Sequence, residues 1–540
     1  MHNIVNALFF AIFFTLAPPR AEYIIISFIF NFIIFFGLYT ICSSKGSKIP
    51  TRIVTGISSL LLFSNFIKFK FQNDFIYWWD INLLKDAIKV ADKFYDKIFT
   101  VDSVLFALAF IFVLILMDRL TINEFHFKTF IISTVLFVTV ITIFPNNTLD
   151  LDESYNKNGK LIGLLKSIKI QNETFAQGRE KSTEEDKNLK YKLPVIDEKP
   201  RQINPDNLDV VIIQSETFFD IMKLNGKENI SISKDVTKNF RKYQSEGIHG
   251  EINVPVIGGM TCNSEFELLT GISARLFQKG SIVYTGYLKS ETDSLAWRLK
   301  NNGYNTTAIH DYERDFWERD VKYPMLGFDE FISMESFIKP KKYDHWIADE
   351  EIFNKTLQTL DKKPGNNFIF TVTVQNHAPF SYKSQKDSVN VKGFSKQDTQ
   401  SMKNYTAGLH ISDKVLYNFM ETVRKREKPT LVVFYGDHQP SYEHEYYKTM
   451  NYFKDENNRY KTDYFIWFNK PNILKPSTEN TSLITLGNKV KEIIGLTDDF
   501  DRFILEEYGF PNQDKYFDIK WGKENTYYYQ SFTRFNNMIK

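Results

Sequence analysis

The feature that most limits what this chain can become is a stretch of twenty residues without a charge, YIIISFIFNFIIFFGLYTIC at residues 23–42. At 1.5 Å per residue a helix of that length matches the ~30 Å hydrocarbon core of a bilayer. Four further apolar runs occupy the first third of the chain, at residues 4–17, 53–67, 103–117 and 130–144. About five spans are therefore expected, the first and third being the shortest and most polar. No basic stretch precedes the first run and four others follow it, which argues against a cleaved leader. Lys45, Lys48 and Arg52 follow the second run, and Arg119 and Lys128 the fourth. Placing both loops inside by the Lys/Arg rule puts everything after Phe144 outside.

Between spans, residues 68–100 pair Leu83, Leu84, Ile88 and Ala91 with Lys85, Asp86, Lys89 and Asp92 at helical spacing. This predicts an amphipathic helix at the membrane interface, with Tyr77, Trp78 and Trp79 at headgroup depth. Dense charge after residue 146 reads as an exposed linker, in which residues 161–171 form a short helix expected to pack on the domain that follows. The predicted organisation is 1–146 membrane helices, 147–200 linker, and 201–540 one large domain. The 67 Lys and Arg against 65 Asp and Glu leave a charge of +2, without the field that a nucleic-acid partner requires. Cys42 and Cys262 are the only cysteines, too few for a disulfide framework or a thiolate zinc cluster.

The large domain reads as α/β. Residues 208–216 (LDVVIIQSE), 367–377 (NFIFTVTVQNH) and 429–439 (PTLVVFYGDHQ) are apolar runs without alternation, as in strands covered on both faces of a mostly parallel sheet. Residues 294–303 and 405–428 read as helices, and 462–471 as a further strand. Each of the three strong strands ends in acid, amide or imidazole groups. Ligands of open α/β sheets lie beyond the carboxyl ends of the strands, so Glu216, His377, Asp437 and His438 are expected to be neighbours.

Asp437 and His438 follow Gly436, whose missing side chain would let the chain turn at the strand end. With Glu216 they offer two carboxylates and one imidazole, a donor set suited to Mn²⁺, Mg²⁺ or Zn²⁺. Gly258 and Gly259 lead into Thr261, Cys262, Asn263 and Ser264 ahead of a helical pattern. Thr261 or Asn263 would serve there as a helix cap, or Thr261 as a hydroxyl nucleophile activated by a metal. Cys262 is the better unassisted nucleophile, but no paired base to lower its pKa is evident. His310 opens HDYERDFWERD, where Arg319 could clasp phosphoryl oxygens and Trp317 pack on the carbon part of a headgroup. His310 and His377 suit proton exchange with an alcohol.

VIIQSE at 211–216, GGMTCNSEFELLTG at 258–271, HDYERDFWERD at 310–320, QNHAPF at 375–380 and FYGDHQPS at 434–441 together resemble the lipoteichoic acid synthase family. These are membrane phosphoglycerol transferases of the alkaline phosphatase and sulfatase superfamily. The resemblance implies about five spans in a bacterial cell membrane and an extracytoplasmic sulfatase-like domain with a central, mostly parallel sheet. It implies Glu216, Asp437 and His438 as ligands of one divalent ion, commonly Mn²⁺, and Thr261 as both ligand and nucleophile. His310, Trp317, Arg319 and His377 would form the headgroup pocket. Family members cleave phosphatidylglycerol, release diacylglycerol and pass glycerophosphate to a glycerol-phosphate polymer or a surface glycan. Met260, Cys262 and the Gln439-Pro440 pair depart from the family pattern and leave the acceptor open. The alternatives are phosphoethanolamine transfer to lipid A or glycan, and a sulfatase-like phosphohydrolase.

Overall fold

The computed structural model describes residues 24–43, 48–72, 75–90, 131, 134–135, 138, 162–170 and 192–539, except 228, 382–388, 394–395, 442–450 and 521–524. The runs expected at 4–17 and 103–117 lie outside the described residues, and the run at 130–144 is described at only a few positions. The chain divides into two compact units, Met1–Gln177 and Gly178–Lys540.

In the first unit, Ile24–Ser43 is a 20-residue helix without a charged side chain, and Lys48–Gln72 is a helix of 25 residues. Tyr39 and Thr55 join them through a 2.8 Å hydroxyl–hydroxyl hydrogen bond. Among the described residues no helix is long and apolar enough to cross a membrane. The segment after the second described helix forms a 3₁₀ turn, Trp78–Leu83, and a helix, Leu84–Val90. Its aromatics do not act as one set. Tyr77 and Trp79 are buried and stacked at 4.9 Å, whereas Trp78 is exposed. The linker helix at 162–170 makes contacts within the first unit: Ser167 accepts a hydrogen bond from Trp78 N at 2.9 Å and Leu164 packs on the same aromatic cluster. An orphan backbone N–H is thereby satisfied within the first unit.

The second unit is built on a nine-stranded sheet, whose strands we number β1 Asp209–Ser215, β2 Ile248–Asn253, β3 Asn305–His310, β4 Glu330–Ile332, β5 Asn367–Val372, β6 Thr430–Gly436, β7 Lys461–Phe468, β8 Ser477–Thr478 and β9 Thr481–Ser482. The sheet order is β8-β2-β7-β6-β1-β5-β3-β4, with β9 also on β2. Strands β6, β1, β5, β3 and β4 run parallel, and β7 pairs antiparallel with both β6 and β2. Every residue of β1 and β6 is buried, as apolar runs without alternation require. Strand β5 ends at Val372, so Thr373 to His377 leave the sheet as a loop. Helix α1 is Thr261–Thr270, α2 Asp349–Lys362, α3 Lys396–Arg424 and α4 Leu483–Ile494. Helix α3 begins nine residues before the expected start at 405. The core of β1, β5 and β6 side chains includes Val211, Ile213, Ile369, Val432 and Phe434, with Leu409, Leu416 and Met420 from α3.

Gly436 is required for a different reason from the one the sequence suggested. It is the last residue of β6 and has no positive φ. A Cβ there would lie 2.0 Å from the Phe218 carbonyl oxygen. Close backbone approach, and not a turn, excludes a side chain.

Candidate metal centre and active site

Strand register brings the site together. Ser215 pairs with Gly436, so Glu216 and Asp437 leave adjacent parallel strands side by side, and His438 follows. Ligand atoms of these three buried residues all lie within 4.8 Å of one another. Thr217, left-handed at φ 51, clamps both carboxylates. Its N–H donates to Asp437 Oδ1 at 2.7 Å and its hydroxyl to Glu216 Oε1 at 2.6 Å. Thr373 Oγ1 accepts from Glu216 N at 3.1 Å.

His438 Nδ1 lies 3.0 Å from the Gln439 carbonyl, which can only accept, so Nδ1 carries the proton and Nε2 the lone pair. That Nε2 is 3.3 Å from Asp437 Oδ2 and 3.7 Å from Glu216 Oε1. Both His438 Nε2 and Asp437 Oδ2 are buried without a hydrogen-bond partner. Two converging buried acceptors left unsatisfied are costly unless a cation completes them, so the donor set fits a divalent ion. Burial raises the Glu216 pKa, with Asp437 adding to the rise, and burial pushes Asp437 up to about 7. Burial lowers the His438 pKa, which keeps the imidazole in its ligating form.

Thr261 opens α1 after Gly258 (φ 64), Gly259 (φ 153) and Met260 (φ 59). Its hydroxyl donates to Glu216 Oε2 at 3.4 Å. Neither candidate cap residue caps the helix. The position before it belongs to Met260, which makes no side-chain cap bond, and Asn263 instead bridges Ser281 O and Val283 N at 2.9 Å each. Cys262 is fully buried.

His310 ends β3, opposite Val372. Its Nδ1 donates to Val372 O at 2.9 Å, and burial followed by the Arg319 charge drives its pKa well below the usual value. It is therefore neutral with its lone pair on Nε2. His377 is half-buried, its Nδ1 2.6 Å from Ala378 O, and its charge acts on both Glu216 and His438. Arg319 is buried, and its guanidinium is held by Glu265 of α1, with Nε and Nη2 at 3.1 and 2.5 Å from Oε1. The same guanidinium sits 4.9 Å from the Trp317 ring. Trp317 and Glu318 are both left-handed (φ 55 and 58), a strained pair of the kind found at functional sites.

The sequence reading missed several of these groups. Glu265 also accepts from Tyr284 and Tyr323 at 3.2 and 2.9 Å, and lies one turn beyond Thr261 on the same face of α1. Asp311 and Asp349 are fully buried carboxyls whose charges act on each other. Burial raises Asp311 well above the usual range and Asp349 to about 6. The signal available for Glu265 was its spacing of four from Thr261.

The sulfatase family model matches residues 209–496, just over half of the chain. The chain is 32% identical over 234 residues to a putative cyclic β-1,2-glucan modification protein of Rhizobium meliloti, covering 43% of this chain and 36% of that protein. It is 23% identical to lipoteichoic acid synthase of Staphylococcus saprophyticus, covering 73% of this chain and 64% of that protein. The chain thus spans less than two thirds of the length of either relative. Among solved structures, phosphoglycerol transferase GacH of Streptococcus pyogenes, in complex with sn-glycerol-1-phosphate, superposes with a TM-score of 0.51 at 22% identity, covering 69% of this chain and 92% of that one. That likeness establishes the shared α/β architecture. With its strand-end carboxylates and imidazole gathered at the family's sheet, the chain belongs to the sulfatase family, within which it resembles the lipoteichoic acid synthases.

Proposed function

We propose that this chain is a phosphoglycerol transferase that moves glycerophosphate from phosphatidylglycerol to an acceptor hydroxyl through a phosphothreonine at Thr261. The observation that carries the reading is the Thr261 hydroxyl, 3.4 Å from Glu216 at the mouth of the Glu216–Asp437–His438 cluster and at the first turn of a helix. A divalent ion held by these residues supplies the positive charge that makes a threonine hydroxyl nucleophilic near neutral pH, and Mn²⁺, Mg²⁺ and Zn²⁺ all suit the donor set.

In the first half-reaction Thr261 Oγ gives up its proton and forms a bond to phosphorus, the bond to the diacylglycerol oxygen breaks, and that oxygen takes up a proton. In the second, the acceptor hydroxyl gives up its proton and its oxygen attacks the same phosphorus, the Thr261 ester bond breaks, and Thr261 Oγ regains a proton. His310 and His377 are the proton carriers in this reading. Arg319, fixed by Glu265, contributes positive charge beside the phosphoryl oxygens, and Trp317 lies against the headgroup carbons. The N-terminal unit of 1–146 and the 147–200 linker would hold the domain outside a bacterial cell membrane, where the lipid lies. The uncharged run at residues 23–42 is the sequence feature that supports this placement. Similarity to a glucan modification protein favours a glycan acceptor over a polyglycerophosphate chain.

The test is to supply the full chain with headgroup-labelled phosphatidylglycerol or phosphatidylethanolamine. Labelled glycerophosphate on protein together with released diacylglycerol is expected. Label from phosphatidylethanolamine would establish phosphoethanolamine transfer instead, and free labelled glycerophosphate with none passed to an acceptor hydroxyl would establish a phosphohydrolase.

A further inference from the structure

Resting on the transferase reading, we infer that Gln439 is a positioning residue: its carbonyl oxygen sets both the metal-ligating imidazole of His438 and the turn that carries Thr261, and its side-chain amide fixes that carbonyl in place. Gln439 is fully buried, so it faces the frame of the site and not an acceptor. The carbonyl has two lone pairs, and both are taken. His438 Nδ1 donates to it at 3.0 Å and Gly258 N at 2.9 Å. The first bond leaves the imidazole lone pair on Nε2, the atom that lies 3.3 Å from Asp437 Oδ2 and 3.7 Å from Glu216 Oε1. The second bond holds the start of the Gly258-Gly259-Met260 turn, which delivers Thr261 to the site.

The turn is pressed onto the same segment. A Cβ at Gly258 would lie 2.3 Å from Ser441 Cβ, and the φ of 64 is itself left-handed, so only glycine brings the two stretches this close. In the first turn of α1, Ser264 Oγ donates to Asp437 O at 2.8 Å. Residues 437–441 therefore join the metal ligands to the approach of the nucleophile, and a shift of this segment moves both.

What anchors the segment to the sheet is the Gln439 amide. Its Nε2 carries two protons and donates one to Asn458 O at 2.7 Å and the other to the carbonyl of Lys461, the first residue of β7, at 2.6 Å. Thr462 Oγ1 adds a bond to Gly436 O at 2.7 Å, just before the ligands. The amide oxygen, by contrast, is buried with no hydrogen-bond partner. An apolar side chain of similar volume would leave no such acceptor stranded, so the two donated bonds are what this amide contributes. Gln439 thus reaches the chemistry only through His438 and the Gly258 turn, in a site where a displacement of about 1 Å can cost ~10²-fold in rate.

The experiment titrates the full chain, in detergent, with Mn²⁺ by calorimetry, and follows diacylglycerol release from phosphatidylglycerol at saturating Mn²⁺ to separate kcat from KM. Gln439→Leu is expected to weaken Mn²⁺ binding ~10–100-fold, the scale for groups that orient a ligating histidine, and to lower kcat by a similar factor. KM for the lipid should stay native, because the buried Gln439 does not touch it. Asn469→Leu is the control. Asn469 Nδ2 donates to Val423 O, Arg426 O and Lys428 O at 3.2, 3.1 and 3.0 Å, and its Oδ1 accepts from Thr430 N at 2.8 Å, a buried amide clamp of the same kind at the opposite end of β6. Its loss should lower the melting temperature and leave Mn²⁺ affinity native. Gln439→Met, whose flexible side chain fills the same space, keeps the test decisive if the leucine variant fails to fold. Native Mn²⁺ affinity or native kcat in a folded Gln439 variant, a raised KM with kcat unchanged, an equal loss of Mn²⁺ affinity in Asn469→Leu, or failure of both Gln439 variants to fold would each overturn the assignment. If Mn²⁺ binding weakens as expected but the native chain releases no diacylglycerol from phosphatidylglycerol, the donor reading fails and the positioning role stands.

Discussion

Arg319 and Glu265 form a two-pronged ion pair in which neither side chain is more than 1% exposed. Burial works against the guanidinium charge, but Glu265 outweighs it and holds Arg319 charged. The pair ties the HDYERDFWERD segment to α1, the helix that carries Thr261. It also sets the orientation of Arg319, because Nε and Nη2 are committed to the carboxylate while Nη1 donates to Phe316 O at 3.5 Å.

Removing only the acid should therefore be worse than neutralising it. Glu265→Ala leaves a buried cation unpaired and is expected to cost on the order of 3–5 kcal/mol. Glu265→Gln keeps an acceptor and should cost clearly less. Thermal melting of the full chain checks both, and equal melting temperatures for the two variants would show that charge pairing is not what holds Arg319.

Thr261→Ala should reduce glycerophosphate transfer by ~10³-fold or more, the scale seen when a nucleophile is removed. Cys262→Ala should leave substantial transfer, since the thiol is buried and Thr261 is the group directed at Glu216. Mass spectrometry of trapped enzyme should find the adduct on the peptide containing Thr261. An adduct on Cys262 would reverse the assignment.

Asp437→Asn and His438→Ala each remove a ligand atom that is now unsatisfied. Mn²⁺ at ~100 times its dissociation constant should stabilise the native chain by about 2.7 kcal/mol. Both variants should lose most of that gain in a thermal-shift titration. An unchanged Mn²⁺ shift in Asp437→Asn would place the ion elsewhere.

What was legible in the sequence follows from how each residue is placed. Glu216, Asp437 and His438 end apolar runs, and a polar group at the end of a fully buried strand has few places to go except the crevice beyond the sheet. Glu265 stands in NSEFELLTG at 263–271, where a carboxylate on a helix ordinarily marks the solvent face; its burial depends on Arg319, Tyr284 and Tyr323 arriving from distant segments. Thr217 was equally hidden, because its double role depends on a left-handed backbone that no residue type in QSETFF announces. Gly436 was read correctly as necessary but for the wrong reason, since the Phe218 carbonyl that excludes a side chain comes from the loop after β1.

Gly436→Ala follows from that contact. A Cβ placed 2.0 Å from a carbonyl oxygen forces the β1 loop away from β6, and the loop carries Glu216 and Thr217. The substitution should destabilise by at least ~1–3 kcal/mol, as overpacking does. It should also weaken Mn²⁺ binding, because the clamp on both carboxylates moves with the loop. Native melting together with native Mn²⁺ affinity would show that the loop yields without cost.

Glu267 offers a pH test away from the metal ligands. Burial pushes its carboxyl up from 4.5 to about 7, against the opposing pull of hydrogen bonds from Ser273, Tyr516 and the Ala274 N–H. The folded state therefore binds the proton more tightly than the unfolded one between about pH 4.5 and pH 7. The stability this supplies is complete below pH 4.5 and is lost as pH rises through 7, and the shift bounds it at roughly 3 kcal/mol. Glu267→Gln cannot titrate. The melting temperature of the native chain relative to Glu267→Gln should accordingly fall from pH 4.5 to pH 8, whereas a difference that stays flat or rises would mean that the hydrogen bonds from Ser273 and Tyr516 outweigh burial and keep the carboxylate ionised in the core.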